Sequence, residues 1–162
     1  MTVRWRLANR HWAALAATVA AALALAIGSA LELRWSSAVT RYSGYGLLIL
    51  ILVLCLLPLR RNFSRSSSEL DKARLSQSFR LHEAGAVVLP LALWAHAGSV
   101  NAKSMLILTA SILLVTALGA LHPSTRKPAS PRYLRFWWLM HIVLGSVVLA
   151  GGVLHMLAIW AY

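Results

Sequence analysis

Five apolar runs divide this chain of 162 residues, and nearly all of its charged residues fall in the gaps between them. A helix needs about 20 apolar residues to cross about 30 Å of hydrocarbon. The runs at about 12–31, 42–59, 82–98, 104–121 and 136–162 reach or approach that length. Lipid offers the backbone no hydrogen-bond partners, so each run is expected to bond to itself as a helix. Only 12% of the residues are charged, against about 25% in a soluble domain of ordinary composition. The expected fold is all-α: an integral membrane helical bundle of five transmembrane helices, forming one domain over 1–162. The second run closes at Pro58 and Arg60–Arg61, and the third contains Pro90.

The first run, preceded by Arg4, Arg6 and Arg10, has the layout of a signal peptide, with Gly28 and Ala30 at plausible cleavage positions. It is also long enough to span, and it is read here as the first helix.

The basic residues orient the bundle. Arg4, Arg6, Arg10, Arg60, Arg61, Arg65, Lys72, Arg74, Arg80, Arg126, Lys127, Arg132 and Arg135 fall on one side; only Arg34, Arg41 and Lys103 fall on the other. Short loops rich in Lys and Arg stay cytoplasmic. The N-terminus is therefore expected inside and the C-terminus outside, in a multi-pass protein of the inner (cytoplasmic) membrane. The net charge of +12 forms no face of a soluble domain, which argues against nucleic acid as a partner. The cytoplasmic loop 60–81, with its Ser-rich stretch Ser64–Arg74, is expected to be partly disordered or a short interfacial helix. Pro123–Pro131 reads as a structured turn.

Cys55 is the only cysteine and lies inside an apolar run. It cannot form an intrachain disulfide, and it leaves no CxxCH site for covalent haem attachment.

Four histidines fall inside the runs: His82 and His96 in the third, His141 and His155 in the fifth, each pair fourteen residues apart. Fourteen residues are just under four helical turns, so both rings of a pair leave nearly one face, roughly 21 Å apart along the axis. One span separates the third helix from the fifth, so the two run in the same direction. His82 is then expected opposite His141 at the inner level, and His96 opposite His155 at the outer level. Zinc or non-haem iron usually takes three or four protein ligands, often with carboxylates. Each level offers two imidazoles and little else, since Glu83 leaves its helix about 100° away from His82. Two axial imidazoles suit a porphyrin, which brings four donors of its own. Met140 and Met156 are turned off the ligand face by the same rotation.

A single intramembrane histidine is more often a packing residue that bonds a neighbouring backbone. Four at matched depths suggest a site, because ionisable residues in the membrane are costly. Arg80, Arg132 and Arg135 lie just inside the inner level and are candidates to pair with haem propionates, or they serve topology alone. Arg34, Arg41 and Lys103 are the cations available at the outer level. Gly85, Gly145, Gly151 and Gly152 would admit either a flat macrocycle or a tightly packed helix. Trp12, Trp35, Trp137, Trp138, Trp160, Tyr42 and Tyr45 fall near span ends, as aromatic belts do. His11 and His122 sit at the cytoplasmic boundary, as interfacial polar groups, a third ligand pair or a proton path to a quinone.

The arrangement His82…His96 and His141…His155, with one intervening span, resembles the ferric reductase-like transmembrane domain. That family includes NADPH oxidases, iron reductases and the haem subunit of the bacterial periplasmic methionine sulfoxide reductase system. The resemblance implies two non-covalent haems b, at His82/His141 and His96/His155, moving electrons outward. The bis-haem cytochrome b of quinol-oxidising complexes has a similar spacing on a different helix order. This chain departs from the family in showing no sixth span, no flavin domain and no G-x-G-x-x-G. Electrons would then enter from a quinol or a separate redox protein, and the chain would serve as the haem-bearing subunit of an oxidoreductase. Two alternatives are a stand-alone membrane oxidoreductase acting on quinol, superoxide or a ferric chelate, and a non-redox protein that handles metal or protons.

Overall fold

The computed structural model describes residues 2–63, 69–97, 103–121 and 130–161. These residues form five helices and no strand: α1 (Thr2–Ala30), α2 (Ser37–Phe63), α3 (Glu69–Ala97), α4 (Lys103–Ala120) and α5 (Pro131–Ala161). Three are long and apolar enough to cross a membrane, over His11–Ala30, Ser37–Leu57 and Pro131–Ala161. The apolar part of α4, Met105–Ala120, is shorter. The N-terminal part of α3 is polar, and its apolar stretch begins only near Leu81.

The helices outrun their apolar segments. Most of the loop expected over 60–81 is helical: α2 continues to Phe63 and α3 starts at Glu69. Hydropathy marks where apolar surface stops, whereas the i→i−4 ladder continues through good helix formers such as Glu69, Lys72, Ala73 and Gln77. Ser64–Ser68, with Arg65, lie outside the described residues, as do His122, Arg126, Lys127 and most of the turn expected over Pro123–Pro131.

Local chemistry accounts for the helix ends. The Ser130 hydroxyl accepts from the Tyr133 N–H at 3.3 Å, and Pro131 follows at the first helical position, where a missing N–H costs nothing. Ser36 caps α2 in the same way, through the Val39 N–H at 3.4 Å. At the end of α1 the Leu33 N–H returns to the Gly28 carbonyl at 2.8 Å, and the Glu32 N–H to Ser29 at 3.3 Å. This is a Schellman closure with Glu32 in the left-handed position, φ 51°. It turns the chain directly into α2.

Helix α2 packs on α3, α3 on α4, α4 on α5, and α5 on α2, closing a four-helix ring; α1 lies outside it against α3 and α4. In that ring α3 and α5 occupy opposite corners. All five helices contribute to one apolar core of Leu25, Leu47, Ile51, Leu54, Leu89, Leu93, Ile112 and Val148. The outer surface is apolar too. Leu154 and Trp160 on α5 are 66% and 74% exposed, and Leu23 and Ile27 on α1 exceed one half. A surface of this kind is covered by lipid tails, and the helices contact the bilayer. Two buried hydroxyls are satisfied within their own helices: Thr18 donates to Ala14 and Thr116 to Ile112, each at 2.8 Å.

The left-handed conformation at Glu32 costs about 1 kcal/mol in any residue with a Cβ. Glu32→Gly is therefore expected to raise the thermal midpoint of the detergent-solubilised protein by a few degrees, and Glu32→Val to lower it, as followed by circular dichroism.

Candidate functional site

The four histidines of α3 and α5 meet in pairs across the ring. His82 on α3 faces His141 on α5 with ring centroids 6.1 Å apart and planes at 71°. His96 faces His155 with centroids 6.2 Å apart and planes again at 71°. The two levels thus repeat one geometry. They do so because fourteen residues return to the same face of a helix, and because α3 and α5 share direction and stand diagonally opposed.

Each histidine of α3 is anchored by α2. His82 donates from Nδ1 to the Leu54 carbonyl at 3.1 Å, and His96 from Nδ1 to the Thr40 carbonyl at 2.9 Å. A carbonyl can only accept, so the proton sits on Nδ1 and the Nε2 lone pair is left as the ring's donor to a metal. Ser43 reinforces the outer anchor. Its hydroxyl donates to Val39 at 2.6 Å, and its oxygen lies 3.4 Å from His96 Nδ1. On α5, His141 is stacked on Trp137, one helical turn earlier, with centroids 5.0 Å apart and planes 11° from parallel. Trp137 is itself held by its indole N–H, which donates to the Leu118 carbonyl of α4 at 2.8 Å.

The His96/His155 pair opens onto a cavity of about 240 Å³ walled by α2, α3, α4 and α5. His96, His155, Gly44, Gly152, Met156 and Thr109 are among its lining. A second hollow, of about 440 Å³, lies on the opposite side of α3 between Arg80, Glu83, Val87 and Ala13 of α1. Glu83 lines this second hollow, on the far side of the helix from the inner pair.

The remaining sequence candidates fall in several places. Arg80, Arg132 and Arg135 are all exposed, on the N-terminal side of the inner pair. Arg34 and Arg41 are exposed near the α1–α2 connection. Of the four glycines expected to admit a macrocycle, only Gly152 lines the outer cavity. A Cβ on Gly85 would overlap Leu54, one on Gly151 would lie 3.1 Å from Leu108, and one on Gly145 would meet nothing within 4 Å. The glycines that border the rings are others. A Cβ on Gly44 would come within 2.9 Å of His96, and one on Gly119 within 3.5 Å of His141. Trp137, expected in an aromatic belt, is buried against His141, because its spacing of four turns it inward onto the histidine face. That spacing was the available signal. His11 is half-buried on α1.

Among the described residues no three His, Cys, Asp or Glu side chains converge as metal ligands. No protein-family model matches the chain, and no curated protein or solved structure matches it.

Close packing at Gly85 gives a direct check on how α2 and α3 meet. Gly85→Ala is expected to cost about 1–3 kcal/mol through overpacking against buried Leu54. Gly46→Ala and Gly145→Ala, with open space around the new methyl, should leave the thermal midpoint within a degree or two. The same melting experiment in detergent compares all three.

Proposed function

We propose that this chain is a di-haem b-type cytochrome of the membrane, built from five spans with the N-terminus inside and the C-terminus outside. In this reading it carries electrons from a quinol or a cytoplasmic donor to an extracytoplasmic partner. The observation that carries the reading is the repeated imidazole pair. A metal–imidazole bond of about 2 Å on each side, with the distance from each nitrogen to its ring centre, puts two axial rings roughly 6 Å apart at their centroids. Both levels have that separation. His82 with His141, and His96 with His155, would hold the group between them at these separations.

Edge-to-face packing of aromatic rings reaches similar separations. A backbone bond from Nδ1 suits a packing histidine as well as a ligand, and it is the repetition of the same pair geometry at two levels that favours ligation. With Nδ1 of His82 and His96 committed to backbone carbonyls, the rings have the tautomer and second-shell bond typical of metal-ligating histidine. Two donors per level also suit a group that supplies its own equatorial nitrogens better than they suit zinc. At the outer level Gly44 and Gly152 are two points of the cavity lining that carry no side chain.

Haem would supply a one-electron couple at each level, and the protein would supply the rest. His82 with His141 would hold the inner group and His96 with His155 the outer one. Trp137 fixes the plane of the His141 ring. Arg80, Arg132 and Arg135 carry the charge that would pair with propionates at the inner end. The proposed orientation puts thirteen cations inside and three outside. The similarity of the helix order and histidine spacing to the ferric reductase-like domain supports the same assignment.

Purified protein is expected to show a six-coordinate, low-spin b-type spectrum with two haems per chain by pyridine haemochrome. His96→Ala should remove one haem and stop transmembrane transfer while the inner haem remains. A fully coloured His96→Ala protein, or a colourless wild type carrying zinc, would reject the assignment. For topology, a reporter active only outside the cytoplasm is expected to work when fused at Arg34 or after Trp160, and to fail when fused between Phe63 and Glu69.

A further inference from the structure

The two carbonyls that receive the α3 histidines belong to residues 40 and 54 of α2, and are themselves fourteen residues apart. In a helix the carbonyl of residue i is already engaged by the N–H of residue i+4. For Leu54 that residue is Pro58, which has no N–H. Helix α2 runs through Pro58 to Phe63, so the Leu54 carbonyl stays in a helical setting yet lacks its intrahelical donor. For Thr40 the corresponding residue is Gly44, whose missing Cβ opens the space that the His96 ring occupies. Even one methyl there would lie 2.9 Å from His96 Cε1 and 3.2 Å from Nδ1.

From this juxtaposition we infer that Pro58 and Gly44 are positioning residues, one for each haem level. Pro58 frees the acceptor that fixes the His82 tautomer, and Gly44 admits the His96 ring to the acceptor that fixes its own. The inference rests on the di-haem reading for its redox consequence, but not for the tautomers themselves. A ring whose Nδ1–H is donated is the more basic ligand at Nε2, and a more basic ligand favours the oxidised metal. Weakening either bond raises the midpoint potential of the haem at that level and leaves the other unchanged. Losses of such second-shell partners reduce metal affinity by about 10- to 100-fold.

The experiment is Pro58→Ala, which supplies the missing N–H, with Gly44→Ala as its counterpart at the other level. Removing a proline from a helix interior favours the helix, so loss of folding is not the expected outcome of Pro58→Ala. Redox titration of the detergent-purified protein, followed in the visible bands, is expected to show the inner haem alone shifted upward in Pro58→Ala. Gly44→Ala should shift the outer haem alone or lower its occupancy about tenfold. Isotope-edited histidine NMR of the haem-free protein, with His82→Ala to assign the signal, should show a reduced Nδ1–H population at His82 in Pro58→Ala. Unchanged potentials and tautomer, or equal shifts at both levels, would overturn the inference even if both haems are bound. A tautomer change in a protein that binds no haem would uphold the role of Pro58 while sinking the di-haem reading.

Discussion

An imidazole inside an apolar bundle needs a partner for each polar nitrogen, because an unpaired polar group loses several kcal/mol of hydration in hydrocarbon. Four such rings sit inside this molecule, and the architecture is organised around them. Helix α2 answers the Nδ1 protons of α3 with backbone carbonyls, at two heights. Helix α4 contributes through Leu118, which holds the tryptophan beneath His141, and through Gly119, which leaves that ring room. The diagonal placement of α3 and α5 leaves α2 beside both levels, while the ring contacts of α4 are at the His141 level. Helix α1 packs on the outside of α3 and α4, and none of the ring contacts described at the two levels involves it.

Much of this was legible from spacing. Fourteen residues between histidines on two runs, with one run between, is enough to specify shared faces, matched heights and the His82/His141 and His96/His155 partners. Trp137 was legible by the same arithmetic, four residues before His141, although its aromatic type at a span end pointed to the lipid interface. The extent of α3 was harder to read. Eight of its first twelve residues are polar or charged, and a hydropathy criterion cannot separate a mostly polar helix from a loop. Gly44 and the Thr40 and Leu54 acceptors were not legible at all. A backbone carbonyl has no residue-type signature, and which glycine faces a ring depends on how two helices are rotated against each other.

Pro58 illustrates the limit well. In sequence it reads as punctuation, the end of an apolar run before Arg60–Arg61. In three dimensions the helix continues past it, and its consequence appears four residues earlier and on a different helix. A residue known mainly for breaking helices serves here to leave one carbonyl available.

The midpoints of the two histidine-bearing stripes are Leu89 and Val148, each seven residues from both histidines of its helix and each almost fully buried. Seven residues return to nearly the same face, so these two side chains fill the space between the levels. Leu93, Ile51 and Ile112 surround them in the same core. A layer made of branched hydrocarbon conducts neither water nor hydrated protons. Charge crossing this layer as electrons alone would leave no counter-ion behind it. Under the di-haem reading each turnover would therefore move charge across the membrane, and the membrane voltage would act as a brake or a drive on the rate.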